Sequence, residues 1–205
     1  MICNSTRDDF PRLQAIADVC FGKRFLDYTS YRQPISINYQ IDGVIVGFAT
    51  ASIGYASELG RRVGDLLPNE KVGILCNICV LPEYAGRGIG TALTAERCRR
   101  LESQVPRIIA TAWKQYQTGI VNAAITLGRN DFKVVGEVEK PYAGMPCIVC
   151  GDSCKCSVVV YSRERSVDVS GNEGQQRGVQ ASDGTGEEDR RLVASVEEKH
   201  SCELV

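Results

Sequence analysis

The sequence predicts an α/β fold built on one mixed sheet, and three observations lead there. Apolar strand patterns recur at residues 35–51, 72–81, 107–112, 132–139 and 157–161. Stretches with helical spacing alternate with them, as layered α/β domains require. A glycine-rich turn carries the chain from a fully apolar strand straight into a helix. From Arg163 onward the aromatic residues vanish and Gly, Ser, Gln and Glu dominate, which predicts a domain over residues 3–162 and a disordered tail over 163–205.

Each element has its own signal. Ser5, Thr6 and Asp8 precede a helix with Phe10, Leu13, Ala17, Cys20 and Phe21 on one face, and Pro11 falls where a first turn tolerates it. Ile35, Ile37 and Tyr39 alternate with Ser36, Asn38 and Gln40, and Asp42-Gly43 turns the chain into residues 44–51, a β-hairpin. Residues 53–70 read as an irregular or partly helical connection of the kind that covers substrate sites. Residues 72–81 are apolar at both parities, so that strand is buried on both faces. Asn77, its one polar interruption, is either a hydrogen-bonded core amide or a group that holds a water or a substrate amine. A helix from about Thr91 buries Thr94, Cys98, Leu101 and Val105 and turns Arg97, Arg99 and Arg100 to solvent. Residues 119–127 form a short helix before the last two strands.

Composition narrows the function. The chain has 205 residues, 43% of them hydrophobic, enough for one core. Net charge is −1, with ten acidic against six basic residues in the tail leaving a mild positive balance on residues 1–162. No basic field points to nucleic acid or an anionic membrane, and no stretch reaches membrane-spanning length. Arg7, Asp8 and Asp9 interrupt any apolar leader, so the expected location is cytoplasmic. Cys202, fourth from the end, lacks the basic cluster and the usual last residue of a prenylation site.

The run Cys79-Val-Leu-Pro-Glu-Tyr-Ala-Gly-Arg-Gly-Ile-Gly-Thr-Ala-Leu93 carries most of the functional information. Gly86, Gly88 and Gly90 let backbone amides approach a ligand at the positive end of a helix, and Arg87 adds charge, which together describe a pyrophosphate site. The run lacks the GxGxxG spacing of a dinucleotide fold. It resembles the acyl-CoA-binding motif of the GNAT superfamily of N-acetyltransferases, Gln/Arg-x-x-Gly-x-Gly/Ala. Gly88 and Gly90 match the glycine positions, and Ala85 stands where Gln or Arg is usual.

The resemblance covers roughly residues 3–162 and implies a mixed, mostly antiparallel sheet flanked by helices. Two of its strands splay to admit pantetheine. It further implies acetyl-CoA as co-substrate, with pantetheine on the backbone of Ile78 and Val80. Pyrophosphate would lie on Arg87, Gly88, Ile89, Gly90, Thr91 and Ala92. Asn122 would touch the cofactor, or serve only as a helix cap. The implied reaction moves an acetyl group to an amine, on a small molecule or a protein, by direct attack.

The family's usual acid, a tyrosine before a Gly-Phe pair, is missing: the chain reads Leu127-Gly-Arg-Asn-Asp-Phe132. Tyr116 and Tyr142 are the candidate replacements. The glutamate common on the central strand is also missing, and that strand offers only Asn77, Cys76 and Cys79, so the base is a water relay or the amine arrives neutral. These gaps motivate a rival reading, a CoA-binding module without catalysis.

Cys147-Ile-Val-Cys150-Gly-Asp-Ser-Cys154-Lys-Cys156 is the second unusual feature. Cys-x-x-Cys-Gly is a metal-knuckle pattern, and four thiolates can converge on one structural zinc ion. The alternatives are reduced or disulfide-forming thiols, and a third reading makes the cluster a zinc-stabilised docking surface.

Overall fold

In the computed structural model, β1 (Ile2–Asn4) lies along β2 (Ile35–Ile41) as an edge strand that no sequence pattern announced. The structure describes residues 1–23, 26, 28–59, 61–121, 123–144, 147, 150, 151 and 153–165. Asn122 and residues 166–205 of the expected tail lie outside the described residues.

The first helix, α1 (Phe10–Phe21), buries Leu13, Ile16 and Ala17. A short turn before it is held by Asp9, whose Oδ2 accepts from the Thr6 amide at 2.7 Å. A short helix, α2 (Tyr28–Tyr31), precedes the hairpin of β2 and β3 (Val44–Tyr55). Asp42 at φ 49° and Gly43 at φ 77° supply the two positive angles that a twisted hairpin turn requires. β3 runs past its expected end to Tyr55, so the following connection is shorter than its composition suggested: a 3-10 turn at Ala56–Leu59 and α3 (Arg61–Gly64).

β4 (Lys71–Val80) is the central strand, followed by α4 (Ile89–Glu102), β5 (Arg107–Lys114), α5 (Ala124–Gly128), β6 (Lys133–Val138) and β7 (Ser157–Glu164). The seven strands run in the order β1-β2-β3-β4-β5-β7-β6. All neighbours are antiparallel except β4 and β5. This is the mixed, mostly antiparallel sheet expected from the resemblance.

Helix α4 packs on one face, where Leu93, Cys98 and Leu101 join Leu75, Ile108, Ala110 and Val159 in a common core. Gly73 permits this approach, because a Cβ there would lie 2.9 Å from Leu101 Cδ1. On the other face Ile74, Cys76, Ile109, Trp113, Val158 and Val160 pack with Cys147, Cys154 and Cys156. α1 covers Phe48, Cys79 and Leu81 in a third cluster.

Three expectations need correction. The helix expected over 119–127 is confined to Ala124–Gly128, because Gly119 at φ 67° closes a turn back to Gln115 and Val121 bridges Lys114. β7 continues to Glu164, and the Arg165 amide donates to Pro106 O at 2.8 Å, so the ordered domain passes residue 162. Arg97, expected in solvent, is buried at 2% exposure.

Candidate active site

A bulge in the central strand shapes the site. Ala49 pairs with Ile78 and Ala51 with Leu75, so Thr50 alone faces both Cys76 and Asn77. Carbonyls at such an irregularity lose their ladder partners, and Arg97 reaches in from α4 to replace them. Its Nη1 donates to Thr50 O at 3.0 Å and to Asn77 O at 3.4 Å, and its Nη2 to Thr94 Oγ1 at 3.1 Å. Burial pushes Arg97 down to about 10, which leaves it charged at neutral pH. The Asn77 amide donates to Thr50 Oγ1 at 3.1 Å, whereas its buried Oδ1 has no partner among the described residues.

Beyond the bulge the sheet opens. β4 and β5 pair only at Gly73, Ile74 and Leu75 with Ile108, Ile109 and Ala110, after which both strands continue unpaired to each other. The Leu81 amide donates to Val46 O at 3.0 Å on the β3 side. Strand alternation therefore turns the peptide groups of Val80 and Ile78 to the edge that β5 has left. The Cys20 thiol donates to Val80 O at 3.5 Å, and the same strand alternation turns the Val80 N–H to the gap.

At the end of this gap lies the glycine turn. Helix α4 begins at Ile89, two residues before the expected start, because Gly88 in the left-handed region (φ 79°) occupies the N-cap position. No side chain among the described residues caps the helix. The first turn's amides, from Ile89, Gly90 and Thr91, precede any intrahelical acceptor and face outward. A Cβ at Gly86 (φ 75°) or Gly88 would meet nothing within 4 Å, so the space above both is open. Val80, Gly88, Ile89, Gly90 and Thr91 share a cavity of about 290 Å³ with Tyr84, Ile125, Thr126 and Arg129.

The structure therefore gathers much of the expected cofactor set and separates some of it. The Ala92 amide is spent on Gly88 O at 3.0 Å, inside the helix. Arg87 folds back, donating to Glu83 O at 3.2 Å with its guanidinium 5.1 Å from the Tyr84 ring, and neither Ala92 nor Arg87 lines the cavity. Arg129 stands at the cavity instead, a cation that no motif had singled out. Only its place just after α5, packed against α4, could have given it away. Ile78 stands beside α4, its Cδ1 3.8 Å from the Cβ position of Gly90. Tyr116 is 61% exposed, with Lys155 Nζ 5.7 Å from its ring centroid, while Tyr142 packs on Trp113 at 6.2 Å. Neither tyrosine lines the cradle cavity.

The four clustered cysteines do converge: the sulfurs of Cys147, Cys150, Cys154 and Cys156 all lie within 4.8 Å of one another. Burial pushes the Cys156 thiol up to about 12, and the Lys155 amide pulls the Cys150 thiol down.

The splayed mixed sheet and the glycine-lined start of α4 thus lie side by side, as the sequence resemblance implied. The sequence profile of the acetyltransferase (GNAT) family matches residues 1–118, and the chain belongs to that family. Its fold is similar to that of the ribosomal-protein-S18-alanine N-acetyltransferase from Escherichia coli, at 16% identity and a TM-score of 0.57 over 85% of this chain and 99% of that one. Arabidopsis thaliana NAA60 in complex with a bisubstrate analogue aligns at 20% identity and TM-score 0.58, covering 80% and 98%. Arabidopsis thaliana Naa50 bound to the bisubstrate analogue CoA-Ac-MVNAL aligns at 15% and 0.56, covering 80% and 97%. No curated protein matches the chain. No helix among the described residues is long and apolar enough to cross a membrane.

Proposed function

We propose that this chain is an N-acetyltransferase that moves an acetyl group from acetyl-CoA to an amine by direct attack. The observation that carries the reading is the continuity of the unpaired β4 edge with the uncapped start of α4 across one cavity. The helix start offers amides and a positive dipole to pyrophosphate, and Arg129 adds a full charge at the same cavity. The Ile78 and Val80 peptide groups offer the pantetheine arm the ladder partners that β5 withholds. The Val80 N–H is then the donor placed to polarise the thioester carbonyl.

The amine nitrogen forms the new bond to carbon as the carbon–sulfur bond breaks, one proton leaves the nitrogen and one reaches the thiolate. Asn77 cannot take that proton, because an amide is not a base. Its Oδ1, which has no partner among the described residues, accepts a hydrogen bond from the incoming amine or from a water that relays the proton. Tyr142, Tyr116 or solvent returns a proton to sulfur. The acceptor is an amine on a small molecule or a protein. The similarity of fold to an alanine N-acetyltransferase and to enzymes captured with bisubstrate analogues puts peptide α-amines first in the screen. The cytoplasm is the compartment this reading assumes.

The test is release of free thiol from acetyl-CoA against a panel of N-terminal peptides, lysine peptides and small amines. Turnover with one class and a drop in Tyr142→Phe or Tyr116→Phe without loss of CoA affinity would name the acid. Tight CoA binding with no turnover across the panel would favour the non-catalytic module instead, which the missing acidic residue on β4 already motivates.

A further inference from the structure

We propose that Cys147, Cys150, Cys154 and Cys156 form a tetrahedral thiolate site for a structural Zn²⁺ ion, which holds the β6–β7 connection against the sheet face opposite the cofactor cradle. The sulfurs of Cys150 and Cys156 are 3.4 Å apart and all four fall within 4.8 Å. Zinc–sulfur bonds of about 2.3 Å in a tetrahedron place sulfurs roughly 3.8 Å from one another, so small movements admit the ion.

The surroundings suit thiolates. The Lys155 amide donates to Cys150 Sγ at 3.4 Å, and the Tyr116 backbone amide hydrogen-bonds to the Cys156 sulfur. Such N–H···S bonds disperse the excess negative charge of four thiolates on one divalent ion. Cys147 and Gly151 exchange backbone hydrogen bonds of 2.7 and 2.8 Å, and Gly151 at φ 81° makes the tight turn after Cys150. Three of the four cysteines are buried, and with all four positions filled by protein the ion has no place for water or substrate. Each ligand gives up its thiol proton to solvent as the ion binds.

The location gives the site a purpose. Cys147, Cys154 and Cys156 share a core with Trp113, on which Tyr142 packs, and with Cys76 of the bulged strand. α4 and the cradle occupy the other face, so the cysteine cluster backs the sheet on the side away from the cofactor. This consequence rests on the acetyl-transfer reading; the metal site itself does not.

The experiment is metal analysis of the full chain as purified, with reconstitution of the chelated protein by Zn²⁺ or Co²⁺ alone. We expect one equivalent of zinc, a sulfur-to-cobalt charge-transfer band in the Co²⁺ form, and a changed emission of Trp113, the single tryptophan, on chelation. Cys154→Ser should lose the equivalent. Acetyl-CoA affinity should stay within twofold after chelation, because the cradle lies across the sheet. Less than a tenth of an equivalent after incubation with Zn²⁺, with the four thiols freely reactive in folded protein, would overturn the proposal. So would a Co²⁺ spectrum without the thiolate band. Neither result touches the acetyl-transfer reading, which falls only if thiol release fails in zinc-loaded protein.

Discussion

Replacing Arg97 tests how a charge survives in this core with no carboxylate partner among the described residues. Two opposing costs meet there. Removing the guanidinium strands the Thr50 and Asn77 carbonyls at about 1–2 kcal/mol each. It also relieves a burial penalty. The drop in pKa from 12.5 to about 10 puts that penalty at roughly 3 kcal/mol. The two nearly cancel, so Arg97→Met, which keeps the apolar stem, should remain within about 1 kcal/mol of the wild type. Arg97→Ala also forfeits the packed stem and leaves a cavity, and should lose a further 2–3 kcal/mol or so. Urea unfolding of both variants reads the difference. Amide exchange at Asn77 should quicken in both, since the bulge loses its clamp. A Met variant that loses more than about 2 kcal/mol relative to the wild type would show that capping the bulge carbonyls outweighs the cost of burying the charge, and would refute this balance.

Gly88→Ala introduces a methyl into open space, at the cost of about 1–2 kcal/mol for its left-handed backbone. Acetyl-CoA affinity should fall at least tenfold, about 1.4 kcal/mol, by calorimetry. Gly43→Ala, with φ +77° and equally open space in the distant hairpin, carries the same strain and should bind normally. Equal affinity in both variants would dismiss the cradle. Hydrogen bonds from Arg99 and then Arg100 hold Glu96 down to about 2. A carboxyl depressed in the folded state stabilises above its unfolded value near 4.5 and loses that contribution as pH falls toward 2. Wild type should therefore lose more stability than Glu96→Gln between pH 6 and pH 3. Because the pair faces solvent, added salt should shrink the gap, and identical pH profiles would show the pairing to be inert.

Much of the fold was legible because its signals are local. The Asp42-Gly43 turn, the period-two hairpin and the doubly apolar β4 each declare themselves within a dozen residues. β1 did not, since three residues on an edge carry no periodicity and depend on β2 for their conformation. Arg97 misled for a different reason. A charged side chain on a helix is ordinarily solvated, and only the tertiary bulge at Cys76 and Asn77, invisible in sequence, offers carbonyls to receive it. The same limit hid Arg129, which depends on α5 packing beside α4. The cysteine cluster was legible by spacing alone, and the sulfurs do meet.

The brevity of the β4–β5 pairing has a mechanical consequence. A seam of three residue pairs joins a four-stranded meander, β1 to β4, to a three-stranded unit of β5, β7 and β6. Each unit is internally laced by antiparallel ladders, so the seam is where one unit can part from the other under load or thermal agitation. A linear amide-bearing ligand lying along β4 would act there as a surrogate strand, lengthening the seam for as long as it stays. Occupancy would then be felt as stiffness between the two units, and product departure as its loss.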